Sequence, residues 1–431
     1  MNIWGTDMRV AAYTLGCKVN QYDTNAMVEL LERAGFERAE FHEEADVYLV
    51  NTCTVTNTAD KKSRNMIRRL HKNYPEAVIC VCGCLAQRDS EGILEIEGVS
   101  AVIGTEERSK IVQIVRECLT GKKIDGVCEI GNVFEEMPVS SAGELTRGHI
   151  KIQEGCNNFC SYCIIPYVRG RVRSRGADSI LSEARALAAR SVREIVLTGI
   201  HISSYGQDNG ESLLNVLSDL NEIKGISRIR LGSLEPHILT REFLRELKNM
   251  EKVCPHFHVS LQSGSDGILM RMNRKYTSAQ FLEYIANIRE AYDKPAVTTD
   301  IIAGFPGETE GEFAETCTFV KECRFFRIHV FPYSEREGTP AASMECRVPM
   351  KVRRGRANQL IEIGERLERE YAEQFLETVQ TVLFEQETDD GLAEGYTERY
   401  LRVRAAGMPG TLQNVLLKKY KNGILYGEIL K

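Results

Sequence analysis

The chain has 431 residues, 43% of them apolar and 27% charged, which is enough for two or three domains with cores of their own and excludes a disordered protein. A formal net charge of −6 excludes a molecule coated in positive charge for nucleic acid, so any contact with RNA has to come from local patches. No apolar run reaches bilayer length and the start "MNIWGTDMRV" has no apolar signal core, which predicts a cytoplasmic protein, no membrane contact, and 14 cysteines present as thiols or metal ligands.

Strand-like and helix-like segments alternate first. "RVAAYT" is followed by "NAMVELLERAGF", "DVYLVN" by "ADKKSRNMIRRLHKN", "AVICVCG" by "RDSEGILEI" and "SAVIG" by "EERSKIVQIVRECL". This predicts an α/β domain over residues 8–125, a parallel sheet flanked by helices. Cys17, Cys53 and Cys84 each fall just past a predicted strand. Strand ends of an open parallel sheet share one edge, where ligands bind, so three thiols far apart in sequence are expected to converge as ligands of a metal centre. A lone thiol beside a strand is ordinary core filler, and only the common placement sets these three apart. Cys80 and Cys82 lie deeper in their strand and read as core, while Cys118, Cys128, Cys254, Cys317, Cys323 and Cys346 have no ligand spacing.

The segment from Asp125 to Leu145 has turn residues and little periodicity, which places a domain boundary there. After it comes "KIQEGCNNFCSYCIIPYVRGRVRSR", with Cys156, Cys160 and Cys163 on one compact loop behind an apolar strand. A cubane iron-sulfur cluster takes four thiolates, so three leave one iron open for an external ligand. Zinc is the competing reading, although a closed zinc site takes a fourth protein ligand and none stands at standard spacing.

The CxxxCxxC spacing is similar to the signature of the radical S-adenosylmethionine superfamily. Together with "LGCKVNQYDTN", "NTCTVT", "GCLAQ", "SLQSGSD", "IIAGFPGET" and "FPYSEREGTPA", it resembles a methylthiotransferase along nearly the whole chain. The resemblance implies two 4Fe-4S clusters, an auxiliary one on Cys17, Cys53 and Cys84 and the radical one on Cys156, Cys160 and Cys163. It also implies S-adenosylmethionine as radical source and methyl donor, and a reducing electron donor as partner. An aromatic C–H offers no acidic proton and no leaving group, so a cofactor has to carry the chemistry.

Six β-rich segments follow, "HIKIQE", "EIVLTGI", "SRIRLGS", "FHVSLQ", "AVTTDIIAG" and "RIHVFPY", with helical patterns between them. They predict a partial parallel barrel in a domain spanning residues 146–376, and the resemblance implies a (β/α)6 radical barrel with its site at the strand C-terminal ends. Loops after these strands give Gly199, Ser233, Glu235, Gln262 and Asp300 as candidate cofactor contacts; simple turns are the other reading. The superfamily's acidic motif after the second strand is missing from "LTGIHISSYG".

"KVRRGRANQLIEIGERLEREYAEQF" reads as one long helix leaving the barrel, and from Glu377 to Lys431 short strands alternate with turns, which argues for a small β-barrel. It resembles a TRAM domain, an RNA-binding fold. Lys418, Lys419, Lys421, Lys431, Arg399, Arg402 and Arg404 there, Lys61, Lys62, Arg64, Arg68 and Arg69 on one helix, and Arg169, Arg171, Arg173 and Arg175 beside the cluster loop are candidates for phosphate contact; a solvated charged face is the plain alternative. "GCKVNQYDT" and "CSYCIIPYVRGRVRSR" are most similar to the branch that adds methylthio to carbon 2 of N6-threonylcarbamoyladenosine next to the tRNA anticodon. The isopentenyladenosine branch and a branch acting on a ribosomal-protein aspartate are the alternatives, with a non-catalytic iron-sulfur RNA-binding regulator behind them.

Overall fold

The computed structural model describes residues 8–137 and 146–430; residues 1–7, the end of the expected linker at 138–145, and Lys431 lie outside the described residues. The first alternation folds as expected. Strands β1 (Arg9–Thr14), β2 (Glu37–Arg38), β3 (Val47–Thr52), β4 (Val78–Gly83), β5 (Val99–Ile103) and β6 (Ile124–Asp125) pair in the order β2-β1-β3-β4-β5-β6, all in parallel. β3 and β4 are buried along their whole length, as central strands covered on both faces must be.

The covering helices are α1 (Lys18–Arg33), α2 (Asn57–Asn73), α3 (Cys84–Arg88), α4 (Ser90–Leu94) and α5 (Ile111–Cys118). Met27, Leu31 and Val115 from α1 and α5 pack on one face around Cys80 and Cys82, which are core as the sequence suggests. Ile67, Leu85 and Ile93 from α2, α3 and α4 fill the other face. The helix expected over "RDSEGILEI" is the short α4, and α3, which the alternation did not predict, precedes it; the two are separated at Asp89, which leaves the helical conformation and whose carboxylate accepts the Gly92 N–H.

The middle of the chain contributes β7 (Arg147–Glu154), β8 (Arg173–Ser174), β9 (Glu194–Gly199), β10 (Arg228–Leu231), β11 (His256–His258), β12 (Ala296–Ala303) and β13 (Arg327–Pro332). β7, β9 and β10 pair in parallel, as do β11, β12 and β13. Single parallel bridges, Ile229 to Val253 and Leu234 to Val259, join the two sets into a row of six strands in chain order. β8 is a two-residue antiparallel addition to β7. Helices α6 (Ile165–Val168), α7 (Ala177–Ala189), α8 (Leu213–Glu222), α9 (Arg241–Lys248), α10 (Asp266–Arg271), α11 (Ser278–Ala291), α12 (Glu310–Cys323) and α13 (Met350–Glu373) lie between and after them.

Strand alternation sorts this row into two chemically different faces. Ile150, Ile152, Leu197, Ile229, Phe257 and Val297 point outward into one apolar core with the helices. The intervening residues, such as Lys151, Glu194, Arg230, His258 and Asp300, are polar and form the inner face.

After α13, strands β14 (Val379–Glu387), β15 (Ala393–Thr397), β16 (Arg402–Ala405), β17 (Leu412–Lys421) and β18 (Ile424–Ile429) close into a small barrel in the order β14-β15-β16-β18-β17. Its β15–β16 turn docks on the N-terminal ends of the central strands. Arg228 donates to the Tyr396 carbonyl at 2.9 Å and Arg230 to the Glu398 carbonyl at 2.9 Å. The Arg230 guanidinium also lies 4.6 Å over the Tyr400 ring, and that ring stacks on His256. The opposite, C-terminal ends of the strands are therefore left for the cysteine loops.

Candidate metal centres

Cys17, Cys53 and Cys84 leave the ends of β1, β3 and β4, adjacent parallel strands, and so share one edge of the first sheet. Cys17 caps α1 in an extended conformation, Cys53 follows β3, and Cys84 opens α3. Two of these junctions use the same local device. Gly16 and Gly83 hold φ of +109° and +94°, so the chain turns out of the strand one residue before the thiol. A Cβ on Gly16 would stand 2.9 Å from Cys53 Cβ, a measure of how closely the first two cysteine loops approach.

One buried asparagine ties the loops together. Asn20 donates to the Leu15 carbonyl at 2.7 Å and to the Thr52 carbonyl at 3.0 Å, immediately ahead of the two cysteine junctions. Its side-chain oxygen accepts from Arg169 at 2.6 Å, and Arg169 Nε–H donates to Cys84 Sγ at 3.2 Å. Burial pushes the Cys53 thiol up to about 12 and raises Cys84 as well. As free side chains these two are thiols; a metal that binds them displaces their protons.

The second triad is local. β7 ends at Glu154, Gly155 turns the chain at φ +70°, and Cys156, Cys160 and Cys163 follow on one loop. The loop is pinned by the Cys156 N–H to the Gly170 carbonyl at 3.0 Å and the Cys163 N–H to the Cys160 carbonyl at 2.9 Å. Burial raises Cys156 to about 11 and Cys163 to about 12. Arg274 donates to Cys160 Sγ at 3.3 Å and holds Glu235 through two oxygens at 2.7 and 2.8 Å. Each triad thus has one buried guanidinium beside a sulfur, an arrangement that suits a negatively charged iron-sulfur centre.

The two triads share a wall. Cys84 packs with Ile164 and Val168, the segment that follows Cys163. Beneath it, Asp23 and Glu154 are fully buried among Arg108, Lys151 and Arg169, with Lys151 Nζ 2.8 Å from Asp23 and 2.5 Å from Glu154. Neighbouring cations hold both carboxyls below the ordinary carboxylate range despite burial. Arg336 closes the far side, donating at 2.7 Å to Thr54, next to Cys53, and to Asp60.

The candidate cofactor contacts sit at the same strand ends. Gly199 ends β9, where a Cβ would meet the Gln153 carbonyl at 3.0 Å, so close packing already requires a glycine. Ser233 is exposed, and Glu235 is committed to Arg274. Gln262 is held at φ +72°, a left-handed conformation costly for a side chain of its size, with its N–H on the Asp300 carbonyl at 2.9 Å. The Asp300 side chain turns to His258, 3.3 Å away.

Comparison with known proteins identifies the chain. Residues 9–104 match the model described as "Uncharacterized protein family UPF0004" and residues 150–320 match the radical SAM superfamily. The chain is 43% identical over 429 residues to the threonylcarbamoyladenosine tRNA methylthiotransferase MtaB of Bacillus subtilis, covering 97% of this chain and 95% of the relative. It belongs to the radical S-adenosylmethionine methylthiotransferase family. A second relative, the tRNA-2-methylthio-N(6)-dimethylallyladenosine synthase of Acetivibrio thermocellus, is 35% identical over 432 residues, with 97% and 90% covered. Among solved structures, the radical S-adenosylmethionine methyltransferase TsrM of Kitasatospora setae superposes with a TM-score of 0.58 at 14% identity, covering 78% of this chain and 77% of that one, a likeness of fold.

For this methylthiotransferase the arginine run has to be corrected. Arg169, Arg173 and Arg175 do not face a phosphate: all three are buried, paired with Glu154, Glu106 and Glu183 respectively. Gly170, at φ +69°, breaks the strand-like alternation and turns only Arg171 out to solvent, where it stacks over Phe159 at 4.5 Å. Lys61, Lys62, Arg68 and Arg69 are exposed on α2, whereas Arg64 is paired with Asp89. Lys419 is exposed and Lys418 pairs with Glu377 at 2.7 Å. Sequence reading missed Asn20, Asp23, Arg274 and Arg336. Three of them lie inside motifs quoted above; Arg274 has no local signal.

Proposed function

We propose that this enzyme adds a methylthio group to carbon 2 of N6-threonylcarbamoyladenosine next to the anticodon of tRNA. The observation that carries this is the 43% identity across 97% of the chain to a relative named for that substrate, against 33–36% for the dimethylallyladenosine synthases. The cofactors are two 4Fe-4S clusters, one on each cysteine triad, and S-adenosylmethionine, which together supply one-electron bond cleavage, sulfur and methyl.

The protein's own residues position and shelter that chemistry. Arg169 and Arg274 donate to the Cys84 and Cys160 sulfurs that would hold the clusters, and the Asn20–Arg169 pair keeps the auxiliary triad in register with the radical loop. Gly199, Ser233, Glu235 and Gln262 form the proposed cofactor side of the strand ends; the Asp300 carboxylate faces His258 on the inner face of the strands. We assign residues 8–125 to the auxiliary-cluster domain, 146–376 to a radical domain of the (β/α)6 type, and 377–431 to a TRAM-like RNA-binding domain. Exposed Lys61, Lys62, Arg68, Arg69, Arg171 and Lys419 are the proposed phosphate contacts. A reducing partner supplies the electron. Among the described residues no helix is long and apolar enough to cross a membrane; the proposed tRNA substrate places the enzyme in the cytoplasm.

Mass spectrometry of nucleosides from bulk tRNA, with and without the gene, tests the assignment. Methylthio-threonylcarbamoyladenosine should vanish and its unmodified precursor accumulate. Loss of the isopentenyl derivative instead would move the enzyme to the other tRNA branch, and unchanged tRNA would point to the ribosomal aspartate.

A further inference from the structure

The inner face of the central strands carries a third cluster of metal-ligating side chains, with no thiol in it. His258 ends β11, Asp300 lies in β12 and His329 in β13, three adjacent parallel strands. Asp300 and His329 are register partners, and His258 is the partner of Thr298, two residues from Asp300 and on the same face. One ligand atom from each of the three lies within 4.8 Å of the other two.

The local geometry turns these atoms toward a common point. His258 Nδ1 is 3.0 Å from Thr298 Oγ1, which fixes the ring and leaves Nε2 facing the Asp300 carboxylate at 3.3 Å. A ligating imidazole is commonly oriented in this way, by a hydrogen bond on its other nitrogen. The His258 and His329 rings lie 5.9 Å apart at 35°, so His329 approaches the same carboxylate from the next strand. Arg327, the nearest cation on β13, is occupied by Glu368 at 2.6 Å. The side chains of His258 and Asp300 are 15% and 31% exposed, so solvent reaches the cluster and can complete a coordination shell.

We propose that His258, Asp300 and His329 bind a divalent first-row transition-metal ion, zinc or iron(II) in class, at a site distinct from both cysteine triads. Two imidazoles and one carboxylate suit such an ion and disfavour an iron-sulfur cluster, which takes thiolates. Three protein ligands leave positions open toward the inner face.

The test uses the full-length protein with both clusters reconstituted under anaerobic conditions, equilibrated with zinc sulfate alone and desalted. Elemental analysis should find one retained zinc, and zinc-edge X-ray absorption should show nitrogen and oxygen ligands at about 2.0–2.1 Å with imidazole scattering. His329→Gln and Asp300→Asn should each weaken zinc retention by about tenfold or more while the iron content stays unchanged. His329 is exposed, so its replacement leaves the fold in place. The proposal is overturned by no retained zinc, by a sulfur shell near about 2.3 Å, or by equal retention in both variants, each of which would leave His258 and Asp300 as an internal ion pair only.

Discussion

The two cysteine triads, the proposed cluster sites, are assembled by opposite routes. Cys156, Cys160 and Cys163 come from one loop, so their geometry is set by local turns and two backbone hydrogen bonds. Cys17, Cys53 and Cys84 come from three strand ends and are brought together only by the sheet, by Asn20, and by Arg169 from the other domain. A local site survives distant damage; one built from tertiary contacts fails whenever the domains shift. The auxiliary site is accordingly the more vulnerable of the two.

The sharpest break of this contrast is Cys160→Ala, which should abolish both cofactor cleavage and product, read as deoxyadenosine and methylthio-nucleoside. Next comes Arg169→Ala. It removes a fully buried guanidinium from between Asp23, Glu154, Asn20 and Cys84 and should destabilise the protein by about 3–5 kcal/mol in a denaturant melt. Protein that still folds should lose about half its iron, that of the auxiliary cluster, and keep the rest. Equal loss from both sites would mean that the radical loop depends on the interface as much as its neighbour does.

Gly83→Ala probes the junction itself. The added Cβ would stand 2.2 Å from Asn51 Oδ1 and 2.6 Å from the Thr52 carbonyl at a φ of +94°, a strain of about 1–3 kcal/mol that falls on the Cys84 loop. Spectroscopic loss confined to the auxiliary cluster is expected. A smaller effect comes from α2. Exchanging Lys61 or Arg68 for glutamine should weaken tRNA binding and lower the salt slope by about one each, with cofactor cleavage in the absence of tRNA unchanged.

The smallest effect is in thiol labelling of the cluster-free protein. Exposed Cys17 and Cys346 should react with iodoacetamide first. Cys53 and Cys163, each raised to about 12, should lag and speed up only as pH rises toward that value, because the thiolate is the nucleophile.

The same contrast explains what was legible in the sequence. The radical loop is a short-range spacing, and strand–helix alternation placed Cys17, Cys53 and Cys84 on one edge because topology of a parallel sheet follows from local patterns. The long-range ion network did not announce itself. Arg169, Arg173 and Arg175 alternate like an exposed charged strand, and nothing nearby in sequence indicates that Asp23, Glu106, Glu154 and Glu183 bury them. Arg274 is likewise defined only by folding, since its partners Cys160 and Glu235 come from two other strand ends. Local periodicity reports which face is apolar, not which charges meet across a domain boundary.

The central claim is that two triads serve one reaction with separable roles, and Cys53→Ala tests it most directly. Deoxyadenosine and methylthio-threonylcarbamoyladenosine would be measured in the same anaerobic reaction with reduced protein, S-adenosylmethionine and substrate tRNA. The account predicts that deoxyadenosine still forms and the methylthio product does not. Loss of both together would contradict it and make Cys53 a support of the fold or of the radical cluster.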